Sequence, residues 1–114
     1  MKIPKPTEAD VARFRSLVPA RKGVVVKPMF GNLGAFVNGN MFMGLFGSDI
    51  GLRLDPESNA EVRAAGGGPF GPAERPMGGY STIPSTWRKA KAQLWIDRAV
   101  TFVEAMPPKI PKRR

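Results

Sequence analysis

The residues best suited to chemistry in this chain are Ser85 and Lys89, four positions apart. A lysine can serve as the base for a serine nucleophile, but such a pair is defined by geometry, which the spacing leaves open. The chain contains no histidine and no cysteine. The commonest general base, the thiol nucleophile and the thiolate metal ligand are therefore missing. We expect no enzyme activity, no metal site and no cofactor.

The acidic residues form no pattern that paired-carboxylate or two-metal catalysis would need. Seven of the nine follow the first helix: Asp49, Asp55, Glu57, Glu61, Glu74, Asp97 and Glu104. The glycine run at residues 66–68 lacks the Gly-Lys-Ser/Thr ending that lets a phosphate loop open a helix. Gly31 and Gly34 are followed by no helix, as a dinucleotide fold would require. These glycines therefore indicate loops and tight turns rather than a nucleotide site.

Charge is concentrated at the two ends of the chain. The net charge is +9, and residues 85–114 carry eight basic and two acidic residues, whereas residues 31–84 carry three and five. A basic end can neutralise phosphates. Candidate nucleic-acid contacts are Lys109, Lys112, Arg113 and Arg114. No sequence-reading motif accompanies them, so such binding would be nonspecific; a solubilising tail is the alternative.

The size and composition are those of one globular domain. The chain has 114 residues, 42% of them hydrophobic, which suits a single core. It contains no apolar run of membrane-spanning length, and its first six residues lead to no signal-peptide core. We expect a cytoplasmic protein without membrane contact, with one domain over residues 1–106 and a flexible basic tail over 107–114.

The elements that must position any site begin with a helix. Thr7 caps the predicted helix 7–18, and Asp10 approximates a capping box. Asn38-Gly39 is the strongest two-residue hairpin signal. Together with the segment 50–54, in which apolar and other residues alternate, this turn signal predicts a three-stranded antiparallel meander. The pairs that the hairpin implies are Val37 with Asn40, Phe36 with Met41, Ala35 with Phe42 and Gly34 with Met43.

Two further helices and a strand complete the predicted fold. Asp55 caps a short helix over 56–65, a glycine-rich loop covers 66–79, and strand character resumes at residues 80–83. The last helix runs over 85–105 and carries a wide apolar stripe. This order predicts an α+β fold: a two-layer sandwich with an antiparallel sheet, one or two strands following the second helix.

Both faces of the predicted hairpin carry apolar side chains. One face has Leu33, Ala35, Val37, Phe42 and Phe46, and the other has Phe36, Met41, Met43 and Leu45. Helices on the first face would leave the second exposed, and large exposed apolar patches mark interaction sites. Two coverings stay open. A protein partner, most simply a second copy in a twofold dimer, covers the second face, or the last helix or the glycine-rich loop does.

The order of several motifs resembles a known family. The motifs are Met29-Phe30-Gly31, the segment 34–42 around Asn38-Gly39, Gly51-Leu52-Arg53-Leu54, Pro69-Phe70, Met77-Gly78-Gly79-Tyr80, Ile83-Pro84, Trp95-Ile96 and Pro107-Pro108-Lys109. Together they are similar to the N-terminal domain of the TfoX/Sxy competence regulators. The Met-Phe-Gly start and the hairpin are the most specific part. Met29 and Phe30 would be core or interface residues.

The resemblance implies a two-layer α+β domain similar to secretion chaperones. It also implies a bacterial, non-enzymatic role, because two-domain members positively regulate competence genes together with a cyclic-AMP receptor type activator. This chain resembles a stand-alone version without the helical C-terminal domain. The leading hypothesis is a protein-interaction module in transcriptional regulation, and the alternative is a small basic protein that binds nucleic acid.

Overall fold

A five-stranded antiparallel sheet forms one layer of the fold, and three helices accompany it. The computed structural model describes residues 3–108. In chain order the elements are α1 (Glu8–Leu17), β1 (Val24–Met29), β2 (Asn32–Val37), β3 (Asn40–Phe46), β4 (Asp49–Arg53), α2 (Pro56–Ala64), β5 (Tyr80–Thr82) and α3 (Lys89–Glu104). The strands lie side by side in sequence order. The predicted α+β class with an antiparallel sheet is confirmed.

The helix starts follow local capping chemistry. Thr7 and Asp10 form a reciprocal capping box at α1, and the Asp55 carboxylate accepts a 2.7 Å hydrogen bond from the Ser58 amide at α2. These interactions satisfy amides that have no partner inside a helix. The last helix begins later than predicted, at Lys89, because the chain after Pro84 makes a turn in which the Trp87 amide donates to the Pro84 carbonyl.

The meander before α2 has four strands rather than the predicted three. The extra reversal occurs at Phe30-Gly31, where both residues have positive φ, 50° and 78°. Asn38 and Gly39 have φ of 52° and 80°, and their predicted turn is confirmed. Paired positive φ values are the signature of type I′ turns, whose twist matches that of antiparallel strands. The residue types did not predict the first turn, because phenylalanine seldom adopts this backbone conformation.

A β-bulge changes which side chains share a face. Phe36 pairs with Met41 as predicted, but Ala35 pairs with Met43, so Phe42 is an extra residue in β3. The predicted pairs of Ala35 with Phe42 and of Gly34 with Met43 are therefore wrong. A bulge places two consecutive residues opposite one and shifts the alternation beyond it.

The bulge moves three side chains to the face opposite the one predicted. Met43 and Leu45 are buried in the core beneath the helices, so their predicted place beside Phe36 and Met41 is wrong. Phe46 belongs to the other face, where it packs against the cluster that contains Met41 and Phe70. The main core contains Phe14 and Leu17 of α1, Ala35, Val37, Phe42, Met43, Leu45, Ile50, Leu52 and Leu54 of the sheet region, and Val62, Ile83, Ala92, Trp95, Ile96, Ala99, Val100 and Val103.

At both ends of the sheet, asparagine side chains form hydrogen bonds to neighbouring segments of the chain. At one end Asn32 joins the N-terminal segment to the turn after β3, through hydrogen bonds to the Pro4 carbonyl and the Gly47 amide. At the other end Asn38 donates to the Glu104 carbonyl and Asn40 to the Pro107 carbonyl. The Asn38 bond satisfies a carbonyl at the end of α3 that lacks a helical partner, and the Asn40 bond holds the segment that follows the helix. No helix within residues 3–108 has the length and apolar character that a membrane crossing requires.

Candidate functional site

A row of glycines crosses the sheet face that points away from the main core. Gly34, Gly44 and Gly51 are direct neighbours in β2, β3 and β4. The Phe70 ring, from the loop between α2 and β5, lies over Gly44 and Gly51 of this row, whereas Phe36 and Met41 occupy the space above Gly34. A Cβ atom added at Gly44 would lie 3.0 Å from Phe70 Cζ, and one at Gly51 would overlap the ring. The glycines therefore leave the space that this aromatic side chain needs.

Around Phe70 a second apolar cluster forms, separate from the main core. The Phe70 ring stacks on Tyr80 at a centroid distance of 5.7 Å and meets the Phe46 ring edge-on at 6.3 Å. Its buried members are Met41, Phe70 and Tyr80, and Met29, Phe36, Phe46 and Met77 pack against them partly buried. The glycine-rich loop thus covers part of the second face from within the chain.

Tyr80 fastens this cluster to the sheet. Its hydroxyl donates a 3.1 Å hydrogen bond to the Met41 carbonyl. Burial raises the pKa of the Tyr80 phenol above its ordinary value of 10.0, because burial disfavours the charged phenolate. The hydroxyl is therefore a neutral hydrogen-bond donor with a structural partner.

An open pocket of about 500 Å³ lies beside this cluster, at the end of the sheet that carries the N-terminal segment. Its walls come from separate parts of the chain and include Ile3, Met29, Phe30, Phe46, Phe70 and Met77. Gly44 forms part of the bottom of the pocket and adds no side chain there. Among residues 3–108, no charged side chain lines this pocket. Such a lining can bind apolar groups and offers little to polar ones.

Asn32 is the polar side chain in the pocket wall, and its amide is already engaged. Its Oδ1 atom accepts a 2.9 Å hydrogen bond from the Gly47 amide, and its Nδ2 atom donates to the carbonyls of Pro4 at 3.1 Å and Phe30 at 3.5 Å. Because Asn32 is buried, losing these bonds would leave polar groups without partners. Asn32 therefore holds the pocket wall together.

Phe30 projects from the rim of the pocket. Its side chain is 76% exposed, and its backbone has a φ of 50°. A left-handed conformation costs a non-glycine residue about 1–2 kcal/mol, and residues held in strained conformations cluster at functional sites. Within this chain, Phe30 gains little burial in return for that cost. Ile3, 41% exposed, lines the same pocket.

The residues predicted as sites do not lie together in the structure. Met29, Phe30 and Gly31 form the pocket end of β1 and its turn, whereas Asn38 and Gly39 form the turn at the opposite end of the sheet. Of the predicted interface residues, Phe36 and Met41 lie in the second cluster, and Met43 and Leu45 lie in the main core. Lys109, Lys112, Arg113 and Arg114 lie outside the described residues, as does most of the predicted tail.

Ser85 and Lys89 line different clefts. Ser85 borders a polar cleft of about 550 Å³ together with Asp10 and Asp49, whereas Lys89 borders a smaller one beside Trp87. In the part of the chain that the structure describes, no group of three or more Asp, Glu, His or Cys side chains could hold a metal ion.

Phe70 and Met77 were not singled out from the sequence, although the glycine-rich loop that carries them was one of the coverings considered for the second face. The available signal was the glycines within strands, such as Gly44 and Gly51. Glycine inside a strand leaves a bare strip of sheet, and an aromatic side chain from elsewhere can cover it.

Comparison with known proteins adds one match. The family model described as TfoX N-terminal domain matches residues 16–103, which include both type I′ turns, the glycine row, Phe70 and most of α3. No curated protein sequence matches the chain.

Proposed function

Because the chain belongs to the TfoX N-terminal domain family, we propose that it is a non-enzymatic regulatory module that binds a protein partner through its exposed β1–β2 turn. The proposed setting is transcriptional regulation in the bacterial cytoplasm, including the control of competence. Neither a metal nor a cofactor takes part. Its working surface is the rim formed by Phe30 and Ile3, with Val25 further along the edge strand.

The conformation of Phe30 carries this proposal. An asparagine or glycine would make the same turn without the backbone cost, yet the position holds a large aromatic side chain that is mostly exposed. Aromatic residues are enriched among the side chains that dominate binding energy at protein interfaces. Burial of Phe30 against a partner would offset the strain of the turn, whereas the isolated chain has no such compensation.

A second copy of the chain is the simplest partner. Strand β1 is an edge of the sheet, and Val25 on this strand is 49% exposed. Twofold symmetry would place the same edge strand and the same Phe30 rim of both copies in one self-complementary interface. Apolar association of this kind should change little with salt concentration.

Photo-crosslinking tests the proposal. A photoreactive phenylalanine analogue placed at position 30 should crosslink to one protein in cells, and a product of twice the chain mass would identify a second copy. The matched control is the same analogue at Leu94, which is 59% exposed on α3. Identical crosslinks from both positions, or none from position 30, would contradict the proposal.

Nucleic-acid binding is the competing function, and the start of α3 favours it. Its cap and first turn hold Arg88, Lys89 and Lys91 without an acidic residue. Labelled duplex DNA and single-stranded RNA should be titrated with the full chain and with a version ending at Met106, across a range of salt concentrations. Phosphate contacts weaken steeply as salt rises. Binding that persists at physiological salt would favour the nucleic-acid function, and its loss in the shortened version would assign the phosphate contacts to the tail.

A further inference from the structure

We propose that the pocket beside Phe30 is a binding site for a small uncharged apolar molecule, such as an alkyl chain or an aromatic hydrocarbon. This inference goes beyond the proposed function, because it concerns the cavity beneath the rim and needs no protein partner. A regulatory module with such a pocket would respond to the presence of its ligand.

The size of the pocket sets the size of the ligand. A volume of about 500 Å³ lies within the usual range of about 300–1,000 Å³ for small-molecule sites. An engineered apolar cavity of about 150 Å³ in another protein takes up benzene. Scaled from that cavity, the pocket has room for about three benzene-sized rings or for an alkyl chain of more than about ten carbons.

The wall chemistry selects an uncharged ligand. Among the described residues that line the pocket, Asn32 alone has a polar side chain, and both ends of its amide are hydrogen-bonded to the protein. A charged group inside would lose its water and find no compensating partner, which is strongly unfavourable. A sugar or a nucleotide base would leave its hydrogen-bonding groups unpaired for the same reason.

The pocket walls are held in place without a ligand. Phe70 rests on the glycine row, and its carbonyl accepts a 2.8 Å hydrogen bond from the Met77 amide, so the loop segment carrying both side chains is closed on itself. On the other side, Asn32 holds Pro4 beside the turn after β3. A pocket that exists before binding avoids the cost of ordering its walls.

The experiment uses the full chain with N-phenyl-1-naphthylamine, an uncharged fluorescent probe, and straight-chain alcohols as competitors. We expect one probe molecule per chain. From butanol to decanol, displacement should strengthen about fourfold with each added methylene. Decanoate at pH 8 should compete at least about tenfold more weakly than decanol, because its carboxylate would lose water beside a pocket lining that offers no charged partner.

Substitutions locate the binding. Ile3→Asp places a carboxylate at the mouth of the pocket on an exposed residue, so the fold should be retained while probe affinity falls at least about tenfold. Phe46→Trp should reduce affinity by filling the pocket. Leu94→Asp is the matched control, because it makes a similar change on an exposed apolar residue of α3, and it should bind the probe normally.

Three outcomes would overturn the proposal: no probe binding, no dependence on alcohol length, or equal loss in Ile3→Asp and Leu94→Asp. None of them affects crosslinking from position 30, so failure here is distinguishable from failure of the proposed function.

Discussion

Replacing Phe30 by asparagine should stabilise the folded chain while removing its partner. Asparagine tolerates positive φ, so the change relieves a backbone cost of about 1–2 kcal/mol. Phe30 is 76% exposed, so the lost packing is about a quarter of the roughly 3 kcal/mol for a fully buried phenylalanine. The net gain in unfolding free energy is therefore roughly 0.3–1.3 kcal/mol, and the midpoint temperature should rise by about 1–5 °C.

Thermal unfolding followed by circular dichroism measures this change, at protein concentrations low enough that association does not raise the apparent stability. The matched control is Asn38→Ala at the other type I′ turn. It introduces the same backbone cost that Phe30→Asn removes, and it deletes the hydrogen bond to the Glu104 carbonyl, so its midpoint should fall. A decrease of more than about 2 °C in Phe30→Asn would refute the strained-turn argument. Retention of wild-type self-association would refute the assigned role of the side chain.

Three other perturbations test the second face of the sheet. Gly51→Ala should destabilise the chain by about 1–3 kcal/mol because the new methyl group meets the Phe70 ring. In a double-mutant cycle measured by denaturant unfolding, Phe70→Leu should remove much of the destabilisation caused by Gly51→Ala. Additive effects of the two substitutions would contradict a contact between residue 51 and the Phe70 ring. Asn32→Leu leaves the Gly47 amide buried without a partner and should cost about 1–3 kcal/mol, with faster hydrogen exchange at that amide; unchanged exchange would count against the role of Asn32. The raised pKa of Tyr80 means that the unfolded chain loses its phenol proton first, so its stabilising contribution is complete below pH 10 and declines as the pH rises beyond that. Tyr80→Phe should therefore show a shallower alkaline loss of stability than the wild type, and parallel curves would disprove the assignment.

Local signals predicted the parts of the fold that depend on neighbouring residues. The capping box at Thr7, the cap at Asp55 and the Asn38-Gly39 turn each involve residues within three positions of one another, and all three are confirmed. Because these motifs satisfy backbone groups locally, their residue types alone identify them.

The features that depend on distant contacts were not predictable in the same way. The bulge residue Phe42 is apolar like its neighbours, so nothing in the hydrophobic pattern indicated that β3 places two successive side chains in the main core. Strict alternation therefore assigned Met43, Leu45 and Phe46 to the wrong faces. The pocket could not be predicted for a related reason. Phe70 reaches the glycine row from a loop whose composition indicated only irregular structure.

The two covering mechanisms considered for the second face are also compatible with each other. Phe70 and Met77 cover its middle from within the chain, while Phe30 and Ile3 stay exposed at one end. A partner would thus need to cover only the rim, and a dimer interface limited to this region would be small. Interfaces of limited area are characteristic of transient association, which would suit a regulatory contact that must be reversible.

The asparagine contacts at the two ends of the sheet have a practical consequence for the assays above. Asn32 holds Pro4 beside the pocket, whereas Asn40 holds Pro107 at the far end of the strands. An affinity tag or fluorophore fused before residue 3 would therefore emerge next to Phe30 and compete with whatever binds there. The same label attached after residue 108 would start at the opposite end of the sheet from the pocket. Two otherwise identical preparations, differing only in which end carries the label, should therefore give different probe affinities.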